Sequence, residues 1–119
     1  MIVLVDDDEI ILTIYRAILQ KSGYVVRTFN TATGAFDFLM DEDPELIISD
    51  ISMPDMDGFE FRKRYNDRFP ERSTPFLFIT GYSKYRESFE AQGYASDAFM
   101  EKPVTGKALV AGVRSFVGH

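Results

Sequence analysis

Asp6, Asp7, Asp50, Thr80 and Lys102 are the residues of this chain whose types could do chemistry together if the fold gathers them. Carboxylates forced into one crevice repel each other, and without a cation one of them is driven to protonate. A hard divalent ion removes that conflict. Mg²⁺, with Mn²⁺ as a substitute, takes about six oxygen ligands, typically one or two carboxylates with waters and a phosphate oxygen. Asp7 and Asp50 suit direct ligation, Asp6 suits a metal-bound water, and a backbone carbonyl just after Asp50 adds another oxygen. A metal-tethered carboxylate beside a lysine and a hydroxyl suits attack of Asp50 on an incoming phosphoryl group. Such transfer depends on positioning and on neutralising the phosphoryl oxygens. The metal would take one oxygen, the Lys102 ammonium another, and the Thr80 hydroxyl with the Gly81 amide a third.

Each of these residues also has a plain structural reading. Asp8 and Glu9, which follow the acidic pair, suit the first turn of a helix, where the dipole favours negative charge. Asp57 suits the cap of a helix, Thr80-Gly81 a turn, and Lys102-Pro103 a loop. Phe99 suits a core. The chemical reading rests on where the residues fall along the chain, which depends on the elements between them.

Five apolar runs alternate with helical patterns. Ile2-Val3-Leu4-Val5 reads as a strand, and Ile11, Ile14 and Ile18 fall on one helical stripe closed by Gly23. Tyr24-Val25-Val26 opens a second strand. A helix through Ala32, Ala35, Phe36 and Leu39 follows the cap candidates Asn30 and Thr31. Leu46-Ile47-Ile48 leads to Asp50, and Phe61, Tyr65 and Phe69 predict a third helix that starts near Asp57-Gly58 and stops at Pro70. Residues 75–80 read as a fourth strand, 84–92 as a short helix ended by Gly93, and 98–100 as a fifth strand. Leu109, Val113, Phe116 and Val117 mark the last helix. Strands that are apolar throughout are buried on both faces, as in parallel sheets. The pattern predicts a doubly wound α/β domain. Such sheets bind ligands outside the carboxyl ends of their strands, where strand order reverses. The acidic residues, Thr80 and Lys102 all fall at those ends.

At 119 residues the chain suits a single domain, 1–119, with no output domain. It has no cysteine, so neither a disulfide framework nor a thiolate metal site is expected, and a cytoplasmic location is. No apolar run approaches a membrane span, and a start that runs straight into a strand pattern leads us to expect no signal peptide. A net charge of −6 disfavours direct contact with nucleic acid. The basic residues Arg62, Lys63, Arg64, Arg68 and Arg72 read as a solvated helix face. Lone His119 reads as a solvated terminus.

VLVDD at 3–7, D-x-x-M-P-x-M-D-G at 50–58, T-G at 80–81 and K-P at 102–103 together resemble the receiver (response-regulator) domain of two-component signalling. The resemblance runs along essentially the whole chain. Separations of 43, 30 and 22 residues between Asp7, Asp50, Thr80 and Lys102 are typical of that family. It implies a flavodoxin-like sheet of order 2-1-3-4-5 between helices, an arrangement that is a worked example of the switch-point rule. It implies that Asp50 accepts a phosphoryl group from the histidine of a sensor kinase or phosphotransfer protein, or from a small acyl phosphate. Asp6 and Asp7 match the acidic pair, with Asp7 and the Ser52 carbonyl binding Mg²⁺ alongside Asp50. Thr80 matches the switch hydroxyl, Lys102 the pocket lysine with a cis peptide before Pro103, and Phe99 the aromatic that turns inward when Thr80 moves. The surface so altered is that of the fourth helix, fifth strand and fifth helix, where an output domain, a downstream partner or a second copy docks. Such a protein is a switch rather than an enzyme, catalysing only its own phosphoryl transfer and slow autodephosphorylation.

Val104 departs from the family, which often has an aromatic after K-P. Ser52 and Tyr82 occupy positions that tune hydrolysis of the phosphoryl group, and a bulky Tyr82 predicts slow loss. Gly106 and Gly112 lie in the last helix, at a cost of up to ~1 kcal/mol each relative to Ala, and suggest a malleable surface. Two rival functions use the same residues. A haloacid-dehalogenase-like phosphatase would take Asp6 as nucleophile, with FLFITG and Lys102 as its other motifs, but leaves Asp50 and M-P-x-M-D-G without a role. A pseudo-receiver would serve as an interaction module that is never phosphorylated, although its pocket here is intact.

Overall fold

Ile2–Val5 (β1), Leu46–Ser49 (β3) and Phe76–Thr80 (β4) are buried along their whole length. They form the centre of a parallel five-stranded sheet of order β2-β1-β3-β4-β5, with Val26–Phe29 (β2) and Ala98–Glu101 (β5) at its edges. Full burial on both faces explains why the three central strands carry no alternating polar residues. The computed structural model describes residues 1–93 and 97–118, so His119 lies outside the described residues.

Alternate side chains along each strand serve opposite faces. Ile2, Leu4, Ile48, Leu77 and Ile79 pack under Glu9–Lys21 (α1) and Gly106–Val117 (α5). Val3, Val5, Ile47, Phe76 and Phe78 pack under Ala32–Leu39 (α2) and Gly58–Arg68 (α3), with Phe89 of Tyr85–Gln92 (α4) joining them from the rim. The expected architecture is the observed one.

Local expectations hold with some shifts. Asp8 caps α1 by accepting from the Ile10 and Ile11 amides at 2.9 and 3.3 Å. Asp57 caps α3 through the Glu60 amide at 2.8 Å. Thr31, not Asn30, caps α2, and the Asn30 side-chain Nδ2 instead donates to Glu9 Oε1 at 2.9 Å. The second strand begins at Val26 rather than Tyr24, and the Val25 side chain is 65% exposed. On α1 the buried stripe is Leu12, Tyr15 and Leu19, whereas Ile14 is 47% exposed. Two apolar stripes lie one residue apart on this helix, and the sheet can cover only one of them.

The basic cluster is a solvated face only in part: Lys63, Arg64 and Arg68 are exposed, whereas Arg62 and Arg72 turn inward. Arg62 is buried, its Nε 3.0 Å from Asp97 Oδ2 and its guanidinium 4.9 Å over the Phe76 ring. Asp97 Oδ1 accepts the Phe76 amide at 2.9 Å, so this pair ties α3 and β4 to the start of β5. Arg72 donates to the carbonyls of Leu39 and Glu42 at 2.9 and 3.0 Å, and its guanidinium lies 3.9 Å over Phe69. Arg64 pairs with Glu60 one turn earlier at 3.0 Å. The planar guanidinium can stack and bond at once, which lets it serve as packing.

Candidate functional site

Strand order reverses between β1 and β3, which makes the gap beyond their carboxyl ends the switch point of the sheet. Val5 and Ser49 are register partners there, and the Asp50 amide donates to the Val5 carbonyl at 2.9 Å. That pairing sets Asp6 and Asp50 side by side as the two chains leave the sheet. β4 delivers Thr80 and Gly81 beside them, and β5 delivers Lys102, whose amide donates to the Thr80 carbonyl at 2.8 Å. The result is a cleft of about 470 Å³ lined by Asp6, Asp7, Asp8, Asp50, Ser52, Gly81, Tyr82 and Lys102.

Asp6 and Asp50 are buried, and Asp7 is exposed at the mouth. The Lys102 ammonium lies 2.7 Å from Asp6 Oδ2 and 3.3 Å from Asp50 Oδ2. Asp6 Oδ1 accepts the Asp8 amide at 2.9 Å, and Asp50 Oδ1 accepts the Ile51 amide at 2.7 Å. Burial pushes the Asp6 carboxyl up. The Lys102 and Asp8 hydrogen bonds oppose that rise, the Asp50 charge adds to it, and the net direction is upward. Burial would lower Lys102, but the Asp6 hydrogen bond and the charges of Asp50 and Asp6 outweigh it and raise its pKa, so the ammonium stays charged at neutral pH.

One oxygen from each of Asp6, Asp7 and Asp50 lies within 4.8 Å of the others. All three donors are carboxylates, the chemistry that Mg²⁺ prefers and that soft or borderline metals do not require. Asp6 and Asp50 share the one Lys102 ammonium and Asp7 adds a third carboxylate, so the cluster holds more acidic groups than that lysine can neutralise. The donor set fits a hard divalent cation.

Thr80 is fully buried, and its Oγ1 accepts the Tyr82 amide at 3.3 Å. It is not among the residues that line the cleft. Phe99 is half-buried on β5, its ring 5.5 Å from Phe89 of α4. The peptide before Pro103 is cis.

Two further residues place the site without being reactive. A Cβ on Gly58 would lie 2.5 Å from the Asp50 carbonyl oxygen, so only glycine lets α3 begin this close to the acid. A Cβ on Gly81 would meet nothing within 4 Å, so close backbone approach is a property of Gly58 and not of Gly81. Asp55 Oδ2 accepts both the amide and the hydroxyl of Thr33 at 2.8 Å, which fastens the loop after Asp50 to the first turn of α2. The M-P-x-M-D-G pattern contains Asp55 and Gly58, but neither contact is visible until α2 and α3 are in place.

Residues 2–114 match the model of the response regulator receiver domain. The chain belongs to that family. Receiver domains are switches of two-component systems rather than conventional enzymes, and membership removes the phosphatase reading based on Asp6. The receiver is 32% identical over 119 residues to the response regulator Rre1 of Synechocystis, and the match takes in 99% of this chain and 52% of that protein. It therefore spans about half the length of that relative. A CheY-like receiver domain protein from Methanospirillum hungatei superposes with a TM-score of 0.84 at 30% identity, covering 96% of this chain and 90% of that one. The response regulator TrrA of Thermotoga maritima, solved with Mg²⁺ and BeF, gives a TM-score of 0.84 at 25% identity, covering 97% and 96%. No helix among the described residues of this receiver is long and apolar enough to cross a membrane.

Proposed function

We propose that residues 1–119 act as one receiver domain, phosphorylated on Asp50 and read out on the α4–β5–α5 surface. The observation that carries this is the placing of Asp50, buried at the switch point, 3.3 Å from the Lys102 ammonium and within 4.8 Å of Asp6 and Asp7. An Asp50 side-chain oxygen forms the new bond to phosphorus while the P–N bond of a donor phosphohistidine breaks. The bonding pair returns to the imidazole nitrogen. Asp7, Asp50 and the Ser52 carbonyl would hold Mg²⁺, with Asp6 reached through water. When bound, the cation neutralises charge that develops on the transferred group. Lys102 takes a second oxygen, and the Thr80 hydroxyl with the Gly81 amide takes the third.

Phosphorylation adds about −1.5 to −2 charge and three acceptor oxygens. Thr80 gains a partner only in that state, so it leaves its contact with the Tyr82 amide, and Phe99 turns into the space it vacates. The balance between two pre-existing arrangements shifts by no more than the difference in those contacts. The partners are a cytoplasmic histidine kinase or phosphotransfer protein, and an output domain, downstream protein or second copy at the altered surface. Support for the kinase-linked reading comes from family membership and from the Mg²⁺–BeF complex of TrrA.

The test is incubation with acetyl phosphate and Mg²⁺, followed by intact mass. One added phosphoryl group that disappears with Asp50→Asn or with chelator is expected. Equal labelling of the asparagine variant overturns the proposal, and failure of the parent to label favours the pseudo-receiver.

A further inference from the structure

The short helix α4 meets the core through two partly buried aromatics, Tyr85 and Phe89. It buries no residue completely, and Lys84 at its N-cap offers no side-chain hydrogen bond to the first turn. One of its residues nonetheless grips the edge strand at two points. The guanidinium of Arg86 lies 4.7 Å over the ring of Phe99, and its Nε donates to Glu101 Oε1 at 3.3 Å. Phe99 and Glu101 are two residues apart on β5, hence on one face of the sheet, so a single planar cation reaches both. In register, Phe99 sits beside Phe78 and Glu101 beside Thr80. The clasp therefore closes over the segment through which Thr80 and Phe99 would exchange positions.

We propose that Arg86 is a positioning residue that holds the Phe99 ring against α4 and so sets how readily this receiver switches. The inference rests on the function proposed above. The exposed ion pair with Glu101 contributes little alone, because solvent screens it. The stack on Phe99 is what distinguishes the two arrangements, since an inward turn of the ring removes it. A contact made only at rest opposes activation, and its loss must tighten any ligand that favours the active arrangement.

The experiment titrates the full chain with beryllofluoride at fixed Mg²⁺ and reads the bound species by fluorine NMR. Arg86→Ala is expected to bind roughly two- to fivefold tighter than the parent, the range a partly exposed cation–ring contact supports. Arg86→Lys, which keeps the charge but not the plane, should fall between. On a Phe99→Ala background the Arg86→Ala effect should vanish, a result that a general loosening of α4 would not give. Unchanged or weaker binding by Arg86→Ala overturns the proposal, as does an undiminished effect without Phe99. Failure of the parent to bind, or equal binding by Asp50→Asn, instead overturns the phosphoacceptor reading beneath it.

Discussion

Lys102 lies closer to Asp6 than to Asp50, at 2.7 against 3.3 Å from the respective Oδ2 atoms. At rest Lys102 thus pairs more closely with the neighbour of the proposed acceptor, and a cation bound to those carboxylates would compete with its ammonium. Lys102→Met should bind Mg²⁺ more tightly than the parent, because that competition is gone. Its rate of labelling by acetyl phosphate should fall on the order of a hundredfold, as when one oxyanion donor is removed. Metal titration and labelling kinetics on one preparation check both directions, and an unchanged rate would count against a role for Lys102 in transfer.

Gly58 leaves no room for a side chain beside the Asp50 backbone. An alanine methyl would overlap the Asp50 carbonyl, which is backbone and cannot swing aside. Gly58→Ala should lose about 1–3 kcal/mol in urea denaturation, the usual cost of overpacking. The same variant should bind beryllofluoride more weakly, whereas Gly81→Ala, with open space around it, should unfold like the parent.

Arg62→Ala and Lys63→Ala separate buried from solvated members of the basic run. Asp97 has a fully buried side chain and would lose the Arg62 guanidinium, so Arg62→Ala should cost about 3 kcal/mol. Lys63 is exposed, and its replacement should stay within about 0.5 kcal/mol of the parent. Equal stabilities would mean that the Arg62–Asp97 contact does not hold β5.

Asp55 gives the receiver an acid-sensitive latch. Burial alone would raise its carboxyl, but hydrogen bonds from the Thr33 amide and hydroxyl prevail and hold it below the usual carboxylate range. A depressed folded pKa stabilises the fold fully above the unfolded value of about 3.9 and loses that effect as pH falls through the folded one. Asp55→Asn should therefore melt below the parent at neutral pH, with the gap closing in acid. Because Asp55 is exposed, the gap should be small. Melting curves that stay parallel through the acid range would rule the latch out.

Tyr82 lines the acidic cleft yet is 54% exposed, with its ring 6.1 Å from that of Tyr85. The ring thus borders the cleft and leans on Tyr85 of α4. Tyr82→Ala should lose the aspartyl phosphate severalfold faster than the parent. Decay of the phosphorylated mass after removal of acetyl phosphate measures this, and an equal half-life would remove the shielding role.

The sheet could be read from the chain because its physics is local. Apolar runs such as Phe76–Thr80 have no polar face to offer water, and caps such as Asp8, Asp57 and Gly23 act within one turn of their own helices. Once the strands were parallel and doubly wound, Asp6, Asp50, Thr80 and Lys102 could only fall at one edge, so the candidate pocket was legible as well. Other features depended on which distant surfaces meet. Leu12, Tyr15 and Leu19 won over Ile14 because the sheet covers one stripe of α1, and Arg62 went inside because β5 brought Asp97 to it. The approach of Gly58 to the Asp50 carbonyl, the Thr33–Asp55 latch and the grip of Arg86 on Phe99 are likewise products of packing. Residue order fixes hydrophobic period and turn chemistry, which act over a few positions. Contacts across tens of residues exist only after the layers close, and they decide how tightly the reactive groups are held.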